Sequence, residues 1–582
     1  MVNHEAVESG LLGFDVSDEP ITASELLSGA LPECLARNTR FAPPEGARNA
    51  GLPFTGTLNL SGASMNMMAC DPRGKPDPQG FTSDRILGRS TTFFPAVSLA
   101  FFTCGDHLVP RTQDVVRSRA LSGTSSWWDI IVQPGRVWSE PDDPQGWNRA
   151  AFPFALVSSL DGELHVGLAL FLYSENRVSP VRFQLVQQTA PMYVHYFNAW
   201  GVTEASYQRD GIDNLPLRQR TYEQEVAGRL PVAPWSALPA EVTGDLLVQA
   251  TAVPPDTDPD VYMSALVHEG ILYRSDCRTV AGPFPYPDEM RHSIWSATKT
   301  AMTNLATLRI AQKYGAGILK SPIAHYLPAA RRPGWEDVTF RDLANMSSGR
   351  SLDLGDYQLE WNRFLFAPRA EEKTEMVLTL LPRRYQPGEE FNYNGMCCYL
   401  LAVALEALFR TKEGTEASIW EMLEREVAQP LGIYHLPNIS TLEEDGSRGQ
   451  PHWDEGYFPT LDELAKLGLL YQGHGAWNAN QILNRELVDS VLPTTTPPPQ
   501  ERSPDPMYYL NWRFEKIHSS WLPSMRGYGR NTVTLLPGEK VTIRIGNYTD
   551  PTSWPPENHV PPGGCWPPRD FIPEWPNPEL RR

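Results

Sequence analysis

Ser296-Ala297-Thr298-Lys299 heads a segment that is apolar on nearly every side, with Ala301, Met302, Leu305, Ala306, Leu308 and Ile310 following it. A helix apolar around much of its circumference belongs inside a core, so other parts of the chain must cover it on several sides. It also carries a lysine on its first turn, where a buried ammonium needs a partner or a purpose. Residues three apart on a helix share a face, so the spacing brings the Ser296 hydroxyl to the Lys299 amine. A serine is a weak nucleophile until a base takes its proton, and a lysine beside it is one such base. The head of the helix adds backbone N–H groups without intrahelical partners, aimed where an anion would develop. An isolated Ser-x-x-Lys is most often a solvated helix face; the apolar surroundings set this copy apart.

The rest of the composition narrows the class. At 582 residues the chain is too long for one ordinary core and predicts two domains. A hydrophobic content of 41% with 10% aromatic is that of a globular protein, and the net charge of −19 argues against nucleic acid or an anionic membrane as partner. No apolar run is long enough for a membrane span, and Met1 to Pro20 is acidic without a signal-peptide core. The seven cysteines are odd in number and scattered, which reads as reduced thiols and a cytoplasmic location. C-x-x-C, H-E-x-x-H, a Walker A loop and G-x-S-x-G are all absent, and the histidines do not cluster, so neither a metal nor a cofactor is expected.

Along the chain, residues 1–50 read as a loosely structured lead-in with a short helix near Glu25 to Ala36. Residues 51–225 read as a β-rich domain: Phe93 to Thr103 is densely apolar, and Phe152–Val157, Leu164–Tyr173 and Val181–Val186 alternate with turn residues as in an antiparallel meander. Trp127, Trp128, Trp138 and Trp147 serve core packing there, or else wall a ligand cleft. The Pro-rich stretch around Pro231, Pro234 and Pro239 marks the junction to a second domain over 226–548. That domain opens with two strands about Glu269-Gly270 and closes with a hairpin about Pro537-Gly538; helices are expected over 296–314, near 340–346, over 393–409 and from Glu463 to Tyr471. Strands at both ends with helices between predict an α+β domain with one antiparallel sheet flanked by helices. Residues 549–582 are rich in Pro and Trp and read as an extended strap.

From about residue 262 to 548 the chain resembles the penicillin-recognising serine hydrolases, in the branch of class C β-lactamases and serine esterases. Six pieces fall in the family's order. They are the strand pair about Gly270, Ser296-x-x-Lys299, the stretch ending Met346-Ser347-Ser348-Gly349, Pro387 to Gly395, Thr460 to Gly468 with its following loop, and Gly527 to Gly538. The resemblance implies a class C β-lactamase-like fold with Ser296 as acylated nucleophile. Lys299 would be its hydrogen-bonded partner and proton acceptor, and Tyr393 the phenol that shuttles a proton to the leaving group. The oxyanion would lie between the Ser296 N–H and a backbone N–H near Tyr528 to Asn531, with Gly527 beside it.

Two departures shape the expected chemistry. The second motif reads Tyr393-Asn394-Gly395 where the family usually has Tyr-x-Asn, so the group that orients a substrate amide is missing or moved to Asn394. The third motif reads Met525-Arg526-Gly527 in place of Lys-Thr-Gly or His-x-Gly. Arg526 either recognises a carboxylate or phosphate or faces solvent, in which case Met525 or Tyr528 lines an apolar pocket. The expected function is a serine hydrolase of small-molecule esters or amides rather than an efficient β-lactamase. An acyltransferase or cyclising thioesterase, and a non-catalytic binding protein on the same fold, are the alternatives.

Overall fold

The computed structural model describes residues 15–546 except 70–84, 87, 120–124, 159, 189–193, 195, 240–241, 243–260, 353–359, 362, 444–447 and 497–502. The strap read over 549–582, Cys70 and Cys565 lie outside the described residues.

The N-terminal half is built on a 12-stranded antiparallel sheet whose central strands are Asn148–Ser158, Leu164–Tyr173, Val181–Gln188 and Phe197–Thr203. Every residue of the first two is buried, because both faces of the sheet are covered. Alternation along one strand shows how: Leu164, Val166, Leu168, Leu170 and Leu172 enter one core, while Ala169, Phe171 and Tyr173 enter another. Trp127 and Trp128 fill the second core and Trp138 the first, so these indoles pack the interior.

Residues 15–50 belong to that architecture. Ile21, Leu26, Leu35 and Phe41 are buried. The expected helix covers only Ala23–Ser28, started by a Thr22–Glu25 capping box and stopped by Gly29 at φ 65°. Leu35–Ala36 becomes a short strand parallel to Val16–Ser17 instead. A left-handed glycine ends a helix, and Pro32 just beyond it cannot continue one.

The second sheet has eight strands. In spatial order they are Val232–Pro234, Ile271–Arg274, Val261–His268, Lys540–Gly546, Asn531–Leu536, Ser520–Gly527, Trp512–Ile517 and Tyr508–Tyr509. All pairs are antiparallel except the first. Strands from the two ends of the segment lie side by side, as an α+β arrangement requires. Helix Leu461–Gln472, opened by a Thr460–Glu463 capping box, packs on it, while helix Gly395–Glu413 packs among the other helices. Gly468 lets that helix close on the sheet: a Cβ there would meet Val541 Cγ1 at 2.5 Å.

The two sheets do not stand apart. One continuous core contains Leu168 and Leu170 from the first, Met263 and Ile543 from the second, and Met302 and Leu305 from the helix after Ser296. Polar contacts cross the seam as well: Arg117 donates to the Ser440 carbonyl at 2.8 Å, and Arg291, held within its own half by Glu463 at 2.5 Å, donates to Gln113 at 3.0 Å.

Candidate active site

The segment after Ile294 is helical in three pieces. A 3₁₀ turn spans Trp295–Ala297, a π-helix Lys299–Asn304 and an α-helix Leu305–Tyr314. All six π-helical residues are buried, as the apolar pattern predicts. Wider helical turns of this kind recur at functional sites. Trp295, immediately before Ser296, sits at φ 46°, a left-handed conformation that costs energy for a bulky residue. It is held there by packing: its ring meets Tyr528 edge-on at 5.7 Å and lies against the backbone of Gly162, a residue of the N-terminal sheet.

The expected Ser–Lys contact is present. Lys299 is 3% exposed, and its Nζ donates to Ser296 Oγ at 2.9 Å and to the Asp454 carbonyl at 2.7 Å. Burial disfavours the ammonium, but the negative potentials of Tyr393, Cys398, Asp454 and Glu455 outweigh it and hold Lys299 above the ordinary lysine value. Lys299 is therefore a cation that donates to Ser296. The Tyr393 ring lies on the same ammonium, 5.4 Å from Nζ. Ser296 and Tyr393 are half-buried while most of their neighbours are fully buried, so both are open to a ligand.

The second-motif positions are explained by packing. Asn394 is buried and caps the helix that follows, its Oδ1 accepting from the Met396 N–H at 2.9 Å; its Nδ2 is buried without a partner. Position 395 admits only glycine, since a Cβ would come within 2.5 Å of the Trp361 ring. That ring occupies the space an asparagine side chain would need.

The third-motif strand, Ser520–Gly527, runs beside the Ser296 turn. A Cβ on Gly527 would lie 1.8 Å from the Ile294 carbonyl oxygen, so glycine is what allows the strand to reach Ser296. Met525 points into the core, fully buried, and lines no pocket at the surface. Arg526 points the other way, is about a third exposed at 35%, and is ion-paired to Glu515. Tyr528 is half-buried against Trp295.

Three elements of the site were not singled out from the sequence. Asp454 and Glu455 form the wall behind Lys299; both Asp454 carboxylate oxygens are buried without a partner, and burial pushes both carboxyls upward. Arg513, on the next strand, lies 5.0 Å above the Tyr393 ring and 5.6 Å above Tyr508. An arginine between Trp512 and Phe514 on an alternating strand is the one available clue that position 513 faces away from the core.

The third element comes from the N-terminal half. A Cβ on Gly162 would come within 2.7 Å of the Glu455 carbonyl oxygen and 3.0 Å of the Trp295 ring, so the Asp161–Glu163 turn is pressed against the site wall. Asp161 beside it is fully buried, and burial, reinforced by Glu163, pushes its carboxyl up to about 8. This folded value lies above the unfolded 3.8, so the stabilisation from the protonated carboxyl is complete below about pH 4 and is lost as pH rises towards 8. Asp161→Asn is therefore expected to melt close to the parent at pH 4. At pH 8 it is expected to be a few kcal/mol more stable than the parent, at about 1.4 kcal/mol for each pH unit between the unfolded and folded values. Thermal melts at the two pH values check this; an equal change at both would contradict it.

Among the described residues, no group of three or more His, Cys, Asp or Glu is arranged to hold a metal ion, and no helix is long and apolar enough to cross a membrane. The five described cysteines, Cys34, Cys104, Cys277, Cys397 and Cys398, are free thiols.

The sheet order, the helices upon it and the Ser296–Lys299 turn can now be set beside known proteins. Residues 259–543 match the family model described as Beta-lactamase. These residues form a Beta-lactamase-like domain. Among curated proteins no sequence matches. Similar solved structures include a penicillin-binding protein homolog from Caulobacter crescentus (14% identical, 50% of this chain and 88% of that one, TM-score 0.37). Others are a D-stereospecific amidohydrolase from Streptomyces sp. (14%, 52% and 94%, 0.37) and a family VIII carboxylesterase (13%, 51% and 89%, 0.36). The matched residues of the Beta-lactamase domain contain the whole Ser296, Lys299 and Tyr393 cluster and every strand of the second sheet except Val232–Pro234, with the last strand matched to Ile543.

Proposed function

We propose that the chain is a serine hydrolase that forms an acyl-enzyme at Ser296 and acts on a small carboxylic ester or amide. The observation that carries this reading is the position of Lys299, donating at 2.9 Å to Ser296 Oγ while anchored at 2.7 Å to the Asp454 carbonyl. An ammonium fixed in this way orients the hydroxyl and offsets negative charge growing on its oxygen. Because the Lys299 ammonium has no free lone pair, it cannot be the proton acceptor that the resemblance implies, and the proton is relayed through Tyr393: its hydroxyl oxygen accepts the Ser296 proton as its own proton passes to the leaving group. The carbonyl carbon is attacked by Oγ, and the oxyanion is received by the N–H of Ser296 and a backbone N–H of the strand end after Gly527. Expulsion of the alcohol or amine leaves the acyl group on Ser296, and water then releases it.

Esters are proposed over β-lactams. Met525 is in the core, the Asn394 amide is engaged as a helix cap, and Trp361 closes position 395. Few polar anchors are left for an amide, and an alkoxide leaves more readily than an amine. Labelling with a fluorophosphonate probe, with the adduct mapped to Ser296, tests the acyl-enzyme step. Turnover of nitrocefin against a short-chain p-nitrophenyl ester tests the preference. Absence of labelling removes the first claim, and comparable efficiency on both substrates removes the second.

A further inference from the structure

The tip of a β-hairpin is normally a surface feature, because its backbone and polar side chains need water. The turn joining Asn148–Ser158 to Leu164–Tyr173, the two fully buried strands at the centre of the N-terminal sheet, breaks this rule. Asp161, Gly162 and Glu163 are all buried, although Asp-Gly-Glu has the composition of an exposed turn. The turn is stiffened from within. Asp161 Oδ1 accepts from the Glu163 N–H at 2.9 Å, the Glu163 carbonyl accepts from the Ser158 N–H at 3.0 Å, and the Glu163 carboxylate meets His165 Nε2 at 2.8 Å. A rigid, polar hairpin tip is thus driven into the interior, where its location gives it a use.

The tip presses on the frame that holds Ser296 and Lys299. On one side is Trp295, whose left-handed φ of 46° persists only because its surroundings enforce it. On the other is the Glu455 carbonyl. It belongs to a segment that grips the Ser296 helix at three points: the Asp454 carbonyl holds Lys299 at 2.7 Å, the Trp453 carbonyl holds Thr303 at 2.7 Å, and the Tyr457 N–H donates to Thr298 at 3.3 Å. Relaxation of Trp295 would turn the next residue, Ser296, away from the ammonium. Retreat of the segment would take the anchor from Lys299. We infer that Asp161 and Gly162 are positioning residues, through which the N-terminal half keeps the Ser296 hydroxyl and the Lys299 ammonium in reacting geometry. The inference rests on the Ser296 reading proposed above. It gives the N-terminal half, which lies outside the matched residues 259–543, a part in that reaction.

Gly162→Ala is the test. The Gly162 backbone is not left-handed, so alanine adds only a methyl group, placed 2.7 Å from the Glu455 carbonyl oxygen and 3.0 Å from the Trp295 ring. On a short-chain p-nitrophenyl ester, kcat is expected to fall about ten- to a hundredfold while KM stays within about threefold. Fluorophosphonate labelling of Ser296 is expected to slow with it. Gly201→Ala is the control: its methyl would meet the Phe183 ring at 2.8 Å, in the other core of the N-terminal sheet. It is expected to lower the melting temperature and leave kcat as in the parent. Parental kcat in Gly162→Ala, or an equal loss of kcat in Gly201→Ala at the same melting temperature, overturns the inference. Should Gly162→Ala not fold, Asp161 decides. Asp161→Ala deprives the Glu163 N–H of its acceptor and is expected to lower kcat, whereas Asp161→Asn keeps an Oδ1 acceptor and is expected to restore most of it. Parental kcat in Asp161→Ala, or equal losses in the two variants, overturns the inference. Failure of the parent enzyme to take the fluorophosphonate label would be a separate result, against the Ser296 reading.

Discussion

Ser296→Ala is expected to lower turnover of a p-nitrophenyl ester by at least about a thousandfold while the protein melts at the parent temperature. In the proposed mechanism this hydroxyl forms the ester intermediate. It is half-buried, and it accepts the 2.9 Å hydrogen bond from Lys299. Removing it takes away chemistry and little packing. Alanine also suits the helical turn as well as serine does. Steady-state kinetics and a thermal melt on the same preparation settle the matter. Activity within tenfold of the parent, with an unchanged melt, would show that Ser296 is not the nucleophile.

The second large effect is expected at Lys299 and Tyr393 together. Lys299→Met and Tyr393→Phe should each cost two or more orders of magnitude in kcat, and the double variant little more than the worse of the two. Groups that move one proton as a unit are strongly non-additive. Methionine preserves most of the buried length of Lys299 and avoids leaving an uncompensated cavity. It also removes the charge that Asp454 and Glu455 face, so a change in stability is expected beside the loss of rate. Tyr393→Phe keeps the ring against Lys299 and Arg513 and deletes only the oxygen. Losses that multiply would mean that the two residues act in separate steps.

The contrast between Lys299 and Arg513 shows where reading the chain succeeds. Lys299 is legible because its partner is three residues away on one helical turn. Arg513 is not, because it reaches Tyr393 across 120 positions of sequence, through a strand register and a helix placement that no local pattern encodes. Arg526 falls in the same gap. Its neighbour in sequence, Gly527, does touch the turn that carries Ser296, but alternation along the strand sends Arg526 to Glu515. The sequence predicts one helix after Ser296, and the structure builds it in three pieces. Its local widening answers to contacts such as Thr303 with the Trp453 carbonyl at 2.7 Å.

What the sequence by itself determined are the features set by neighbours within a turn or a strand. The Ser296–Lys299 pair, the apolar segment after it, the hairpins at Gly270 and Gly538, and the meander strands of the N-terminal half are of this kind. Each follows from helical or strand periodicity, or from a backbone conformation that few residues adopt. What only the tertiary structure decided is which distant groups stand around that pair. Asp454 behind Lys299, Trp361 over Gly395, Arg513 on Tyr393 and Gly162 against Trp295 are brought there by the packing of two sheets onto one core. The physical reason is that burial and charge are properties of a place in the folded molecule. The charge on Lys299 is set by its buried setting and by four groups from outside its own helix, none of which is near it in sequence.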